Sequence, residues 1–149
     1  MRIPAILACL ALATALPARA ADPQAGWQVL EAVTFEEFGD DETWRVEKTF
    51  PEGYEDGAET FAISGFAVIY EAQAEVSDVL LVPQAENCPF CSGGESYGPV
   101  LEVSFAQPVG IAVPEDRIVV EGRLEAIDDA QTLQSFRLTG ARLVPPGEG

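Results

Sequence analysis

The chain has 149 residues, with 25 Asp and Glu against 8 Lys and Arg, a net charge of -17, and no His. Such a charge excludes nucleic-acid binding, which needs Lys and Arg against phosphate, and disfavours docking on anionic lipid. The absence of His removes Ser-His and Cys-His nucleophile pairs and every imidazole metal ligand. Hydrophobic residues make up 48% of the chain, too many for a disordered acidic tail. The length is that of one ordinary domain.

Residues 1–20 read as a secretory leader. Arg2 is the basic start, residues 3–16 are an apolar run, and Pro17 breaks it. Ala18-Arg19-Ala20 is a small-x-small cleavage site, so the cut is expected after Ala20 and the product is periplasmic or secreted. Ile6-Leu7-Ala8-Cys9 loosely resembles a lipobox, but the apolar stretch before Cys9 is too short for a lipoprotein leader. No other stretch approaches the roughly 20 apolar residues of a membrane helix, so no membrane insertion is expected. Cleavage leaves two cysteines, Cys88 and Cys91.

Trp27, Leu30, Val33 and Phe38 follow a roughly helical period, which predicts a short helix over 27–38. Residues 39–42 are a turn, and the alternation around Trp44 and Val46 predicts a short strand over 44–49. Residues 51–60 hold Pro, Gly and acidic residues and read as a loop. Five β-type segments follow, at 60–70, 77–82, 99–106, 117–126 and 134–144, with a long loop over 83–98. The organisation is thus a leader over 1–20, a helix and acidic loop region over 21–58, and a β domain over 59–145.

Three of these strands carry a glycine near the middle: Ile63-Ser64-Gly65, Val120-Glu121-Gly122 and Leu138-Thr139-Gly140. Glycine weakens a flat strand and marks a bulge or bend. A small, strongly coiled barrel needs such corners. The fold class expected is therefore all-β and mainly antiparallel, a five-stranded OB-like barrel with a short N-terminal helix. The expected core is Phe61, Ile63, Val68, Leu80, Val82, Val103, Phe105, Val119, Leu124, Phe136, Leu138 and Leu143.

The stretch 63–143 also resembles a family of small secreted bacterial proteins with an OB-like domain of unassigned function. The resemblance lies in Gly65-Phe66, in Leu80-Leu81-Val82-Pro83 followed by Cys88, in Leu101-Glu102-Val103 and in Val120-Glu121-Gly122-Arg123-Leu124. Trp27 and Leu30 match the family's opening pair. Some relatives accompany zinc-acquisition systems, so the resemblance implies metal handling. In many relatives a His follows the Cys. Here Cys91 stands near that place, and any metal would be held through two thiolates.

Three readings of Cys88-Pro89-Phe90-Cys91 stay open. An even pair in an oxidising compartment is a disulfide by default. Once reduced, the pair is half of a zinc site, its remaining ligands drawn from Glu86, Glu95, a second copy or a partner protein. The motif also reads locally like a glutaredoxin's, but Ser92-Gly93-Gly94 does not start the helix that such chemistry wants. Two acidic clusters, Glu36, Glu37, Asp40, Asp41 and Glu42, and Glu52, Glu55, Asp56 and Glu59, match no ordered calcium loop and read as solvated surface. Asp128 and Asp129 read as turn residues. The sequence offers no nucleophile elbow and no phosphate-cradling glycine loop. The reading is a non-enzymatic periplasmic binding or accessory protein, with zinc as the cofactor candidate and a metal ion or a periplasmic partner protein at the Cys88–Cys91 loop. The alternative is a weak thiol-disulfide protein.

Overall fold

A computed structural model describes residues 24–52, 54, 56–57, 60–69, 74–87, 99–111 and 116–145. Among them are one helix, α1 (Gly26–Glu31), and seven strands. The strands are β1 (Thr34–Phe38), β2 (Arg45–Thr49), β3 (Phe61–Val68), β4 (Val76–Val82), β5 (Leu101–Val109), β6 (Arg117–Ala126) and β7 (Phe136–Leu143). A single 3-10 turn spans Ala85–Asn87. No helix of the described residues is long and apolar enough to cross a membrane.

Strands β3 to β7 close into a barrel in the order β3-β4-β5-β7-β6. All neighbours are antiparallel except β5 and β7, which run parallel. This is the strand order of an OB barrel, and closure leaves the barrel without a free edge. The expected five strands all exist, within a few residues of their predicted ends.

Barrel closure rests on β3. Its first part, Phe61 to Phe66, pairs with β6, and its last part, Phe66 to Val68, pairs with β4. One strand therefore belongs to two ladders and must bend between them. Gly65 sits at that change-over. A Cβ there would lie 2.5 Å from the Val82 carbonyl oxygen, 2.9 Å from Leu81 Cγ and 3.1 Å from Trp27 Cζ2. Only hydrogen fits, so glycine here is set by close approach.

The other two mid-strand glycines face each other. Glu121 pairs with Arg142 and Arg123 with Thr139, so Gly122 alone opposes Gly140 and Ala141. This is a β-bulge whose first residue, Gly140, is left-handed at φ 58°. The same extra residue shifts the β5–β7 register between Val103 and Phe105. It also explains why β7 buries Phe136, Leu138 and Ala141 rather than every second residue.

The core takes Ile63 from β3, Val79 and Leu81 from β4, Leu101, Val103 and Phe105 from β5, Val120 and Leu124 from β6, and Phe136 and Leu138 from β7. Of the expected core, Ile63, Val82, Val103, Phe105, Leu124, Phe136 and Leu138 are buried. Phe61, Val68, Leu80, Val119 and Leu143 are only half-buried. The period of two decides the last case in β6. Leu124 and Gly122 point inward, so Val120 is inward and Val119 is not. In β4 the irregular pairing between Val76 and Asp78 resets the phase, and Leu81 rather than Leu80 faces the core.

The helix expected over 27–38 ends at Glu31. Its apolar stripe is real, since Trp27, Leu30 and Val33 are all buried in the main core. Beyond Val33 the chain turns into β1, which pairs antiparallel with β2 as a separate two-stranded sheet. Gly39, at φ 95°, makes the hairpin turn. Asp40 Oδ1 closes it by accepting from the Thr43 hydroxyl at 2.7 Å and the Thr43 amide at 3.0 Å.

The two kinds of glycine separate by experiment. Gly65→Ala forces Cβ into a backbone carbonyl and is expected to lower stability by roughly 2–3 kcal/mol. Gly140→Ala meets nothing within 4 Å, so only the left-handed strain of about 1 kcal/mol remains. Urea denaturation midpoints of the two variants give the comparison, and a larger loss at Gly140 contradicts the assignment.

Candidate functional site

The β1–β2 hairpin lies outside the barrel ladder and must be held by other means. Lys48 on β2 supplies them. Its ammonium donates to the carbonyl oxygens of Ile127 at 2.7 Å, Asp129 at 3.0 Å and Gln134 at 2.7 Å. All three protons of one cation are used on the loop between β6 and β7. The Val46 amide donates to the Ala130 carbonyl at 2.9 Å, and the Val46 side chain is buried. Burial pushes the Lys48 pKa below its ordinary value, while Asp129 and Asp128 pull against that shift.

With the hairpin held there, a cleft of about 960 Å³ opens between three walls. The first is Leu30 and Glu31 at the end of α1, Val33 just after it, and Phe35 and Glu37 of β1. The second is Asp78, Val79 and Leu80 of β4 with Pro99, Val100 and Glu102 at the start of β5. The third is Leu133, Gln134, Ser135 and Phe136 at the start of β7. Ligand clefts span about 300–1,000 Å³, so this one is large for a small domain. Phe35 is 43% exposed and Leu133 49%, the two large hydrophobic side chains left open among the described residues. Both line this cleft, on different walls.

The polar groups in the cleft share one sign. Glu31, Glu37, Asp78 and Glu102 line it, and no Lys or Arg does. Glu37 accepts from the Trp44 indole at 2.7 Å, Asp78 from the Ser104 hydroxyl at 2.7 Å and Glu102 from the Gln134 amide at 2.8 Å. These partners are neutral, so they orient the carboxylates without cancelling their charge.

The described basic residues each make other contacts. Arg117 donates to Pro83 O at 2.9 Å and stacks over Phe66 at 4.7 Å. Arg45 stacks over Phe38 at 5.0 Å. Arg123 and Arg137 flank Glu125, and Arg142 pairs with Glu121 at 3.0 Å. The cleft carboxylates therefore form no direct ion pair among the described residues, although Lys48 reaches the Gln134 carbonyl of the third wall and Arg137 stands across the ladder from Glu102.

Among solved structures, the chain is similar to a DUF3299 family protein from Pseudomonas aeruginosa PAO1. The identity is 17% and the TM-score 0.49, over 87% of this chain and 76% of that one. No family model matches the sequence, and no curated protein matches it.

Cys88 and Cys91, the site expected from sequence, lie outside the described residues, as do Pro89, Phe90 and Glu95. Glu86 sits in the 3-10 turn just before them. Among the described residues no group of three or more Cys, Asp and Glu converges as a metal site requires. The acidic clusters divide by use. Asp40 closes the hairpin turn, and its hydrogen bonds from Thr43 and Glu42 lower its pKa. Asp56 accepts from the Ala126 amide at 2.9 Å and the Tyr54 hydroxyl at 3.0 Å, which lowers its pKa in the same way. Burial and the Asp56 carboxylate raise that of Tyr54. Tyr54 in turn packs edge-on against Phe136 at 4.9 Å. Asp129 accepts from the Gln131 amide at 2.8 Å, a turn residue as expected. Of the described members of the acidic clusters, Glu37 alone lines the cleft.

Sequence reasoning missed Phe35 and Leu133. Phe35 was absorbed into the expected helix. Leu133 is the one large apolar residue in the run Asp128 to Ser135, and that was the available signal.

The Lys48 tether has a local readout. Lys48→Ala removes the donor to the Ile127 and Gln134 carbonyls and leaves Asp129 O only the long bond from Thr132, and is expected to cost about 2 kcal/mol. Hydrogen exchange is expected to accelerate at 45–49 and 127–135 while β3 to β7 keep their protection. Uniform acceleration across the barrel contradicts a tether role.

Proposed function

We propose that this chain is a small periplasmic, non-enzymatic binding or accessory protein whose contact surface is the cleft between the hairpin, β4–β5 and the start of β7. The observation that carries the reading is the pairing of Phe35 and Leu133 across a cleft of about 960 Å³. Contiguous apolar surface left open on a soluble domain marks a binding site more often than isolated residues do.

The Cys88–Cys91 segment joins this surface in the proposal. Pro99 and Val100, the first described residues after it, line the cleft, and the 3-10 turn Ala85–Asn87 precedes it. The pair is disulfide-bonded in the oxidising compartment and holds zinc when reduced, which would make the loop the metal or partner contact beside the cleft.

Two measurements test these parts separately. Nile red, a neutral apolar dye, is expected to bind the purified protein, with affinity falling about tenfold in Phe35→Asp and in Leu133→Asp. Equal dye binding in both variants removes the cleft from the proposal. For the loop, protein isolated without reductant is expected to show no free thiol beyond the leader. After reduction it should take up zinc, and Cys88→Ser should lose that uptake while the barrel stays folded. Unchanged zinc uptake in Cys88→Ser removes the metal role.

A further inference from the structure

We infer that the cleft takes an extended peptide segment of a partner protein, one that alternates apolar with basic residues and adds as a strand to the outer edge of β1. The inference rests on the cleft being a binding site and names its ligand class. Three observations lead to it.

The first is the strand edge. The barrel has no free edge, but β1 belongs to a two-stranded sheet and pairs only with β2. One side of its backbone therefore presents alternate N–H and C=O groups without a ladder, and no other backbone hydrogen bond reaches Thr34 to Phe38 among the described residues. Proteins guard such an edge with charge, Pro, a bulge or short length. Thr34-Phe35-Glu36-Glu37-Phe38 has no Pro and no bulge, and its guard is negative charge, Glu36 and Glu37, which repels an acidic strand and admits a basic one. An open edge beside a groove is the arrangement used for strand addition.

The second is the spacing. Phe35 and Glu37 lie two apart on the same face of β1, and both line the cleft. A strand added to that edge would place every second side chain against the same cleft. Its apolar residues would meet Phe35, Leu133 and Val100.

The third is charge. Glu31, Glu37, Asp78 and Glu102 form no direct ion pair among the described residues, and they outnumber the cations that adjoin the cleft, Lys48 on the Gln134 carbonyl of its wall and Arg137 across the ladder from Glu102. Basic side chains on the peptide would supply the missing countercharge. The same charge disfavours a second copy of this chain. Pairing β1 against β1 would bring Glu36 and Glu37 of both molecules together, in a protein whose net charge is -17.

The experiment uses the whole mature protein and a synthetic peptide of alternating Lys and Val, matched in length to β1. Two control peptides carry Glu in place of Lys, or N-methyl groups on the amides of one edge. Binding is read by calorimetry and by the fluorescence of Trp44, whose indole donates to Glu37. The Lys–Val peptide is expected to bind, more weakly as salt rises, and the Glu–Val peptide not to bind. The N-methylated peptide is expected to lose about tenfold or more in affinity. Glu31→Gln with Glu37→Gln is expected to weaken binding about fivefold, while Glu36→Gln, on the opposite face of β1, changes it less than twofold. Equal binding of the N-methylated and parent peptides overturns strand addition. A Lys–Val peptide that fails to bind overturns the ligand class, and the reading of the cleft then stands or falls on Nile red alone.

Discussion

The bend of β3 at Gly65 is the constraint on which the rest of the molecule depends. A five-stranded sheet closes only if one strand leaves the first ladder and enters the last. Here β3 does so over Gly65 and Phe66. The bend presents the Ser64 carbonyl outward, where the Trp27 indole donates to it at 2.7 Å. The Ser64 hydroxyl, itself buried, is met by Gln24 at 2.7 Å and Arg117 at 3.3 Å. A buried hydroxyl is costly unless satisfied, and here three different segments satisfy one residue. Trp27 could not lie over Gly65 if a Cβ stood there. The glycine that closes the barrel thus also seats α1, and α1 sets where β1 begins.

From α1 the consequences run to the cleft. Leu30 and Val33 are pinned in the core, so the chain leaves the barrel surface at Thr34. The hairpin that follows contributes one buried side chain of its own, Val46, and its sheet has only two strands. A two-stranded hairpin is marginal alone in water. Lys48 provides its main polar tie to the barrel, and Gln131 adds a weaker bond to the Trp44 carbonyl at 3.3 Å. The cleft is the space left because these ties hold one side of the hairpin and not the other.

The barrel was legible because its strands are long and its glycines fall where the backbone must bend. Gly65, Gly122 and Gly140 each mark a position where a side chain would collide or be strained. Individual core assignments were less legible, since the bulge at Gly140 and the irregular pairing of β4 both change the inward phase without a clear mark in the residues. The 27–38 segment misled for a different reason. Phe35 and Phe38 are three apart, as on a helix, and Gly39 looks like a helix stop. In the fold they lie on opposite faces of β1, Phe35 across from Lys48 and Phe38 across from Arg45. Local spacing cannot show that partner strand. The cleft was illegible as well, because its walls come from four places in the chain. Of the candidate site in sequence, Cys88 and Cys91 fall outside the described residues, and the apolar and acidic walls entered only through the fold.

The distribution of charge follows from a shortage of cations. The chain has 8 basic residues against 25 acidic ones, and six of the basic residues are described. Each of the six stabilises a specific joint. Lys48 ties the hairpin, Arg117 the bend of β3, Arg45 the hairpin turn, and Arg123, Arg137 and Arg142 the β6–β7 pair. Exposed ion pairs contribute only about 0–1 kcal/mol each, so the β6–β7 arginines add little to stability beyond what the core supplies. Lys48 is different, because its three acceptors are backbone carbonyls of the loop between β6 and β7, of which Asp129 alone also accepts from a loop amide, that of Thr132 at 3.4 Å. With the cations committed in this way, acidic residues elsewhere face water or the cleft uncompensated. Over most of the surface that excess only keeps molecules apart. Around an apolar groove it also selects, because a ligand entering there must leave water beside four carboxylates. An anionic ligand meets like charge there, a neutral one gains only from the apolar walls, and a cationic one gains from both. The fold and the composition therefore act on the same surface: the first leaves an apolar groove beside an open strand edge, and the second gives that groove a negative field.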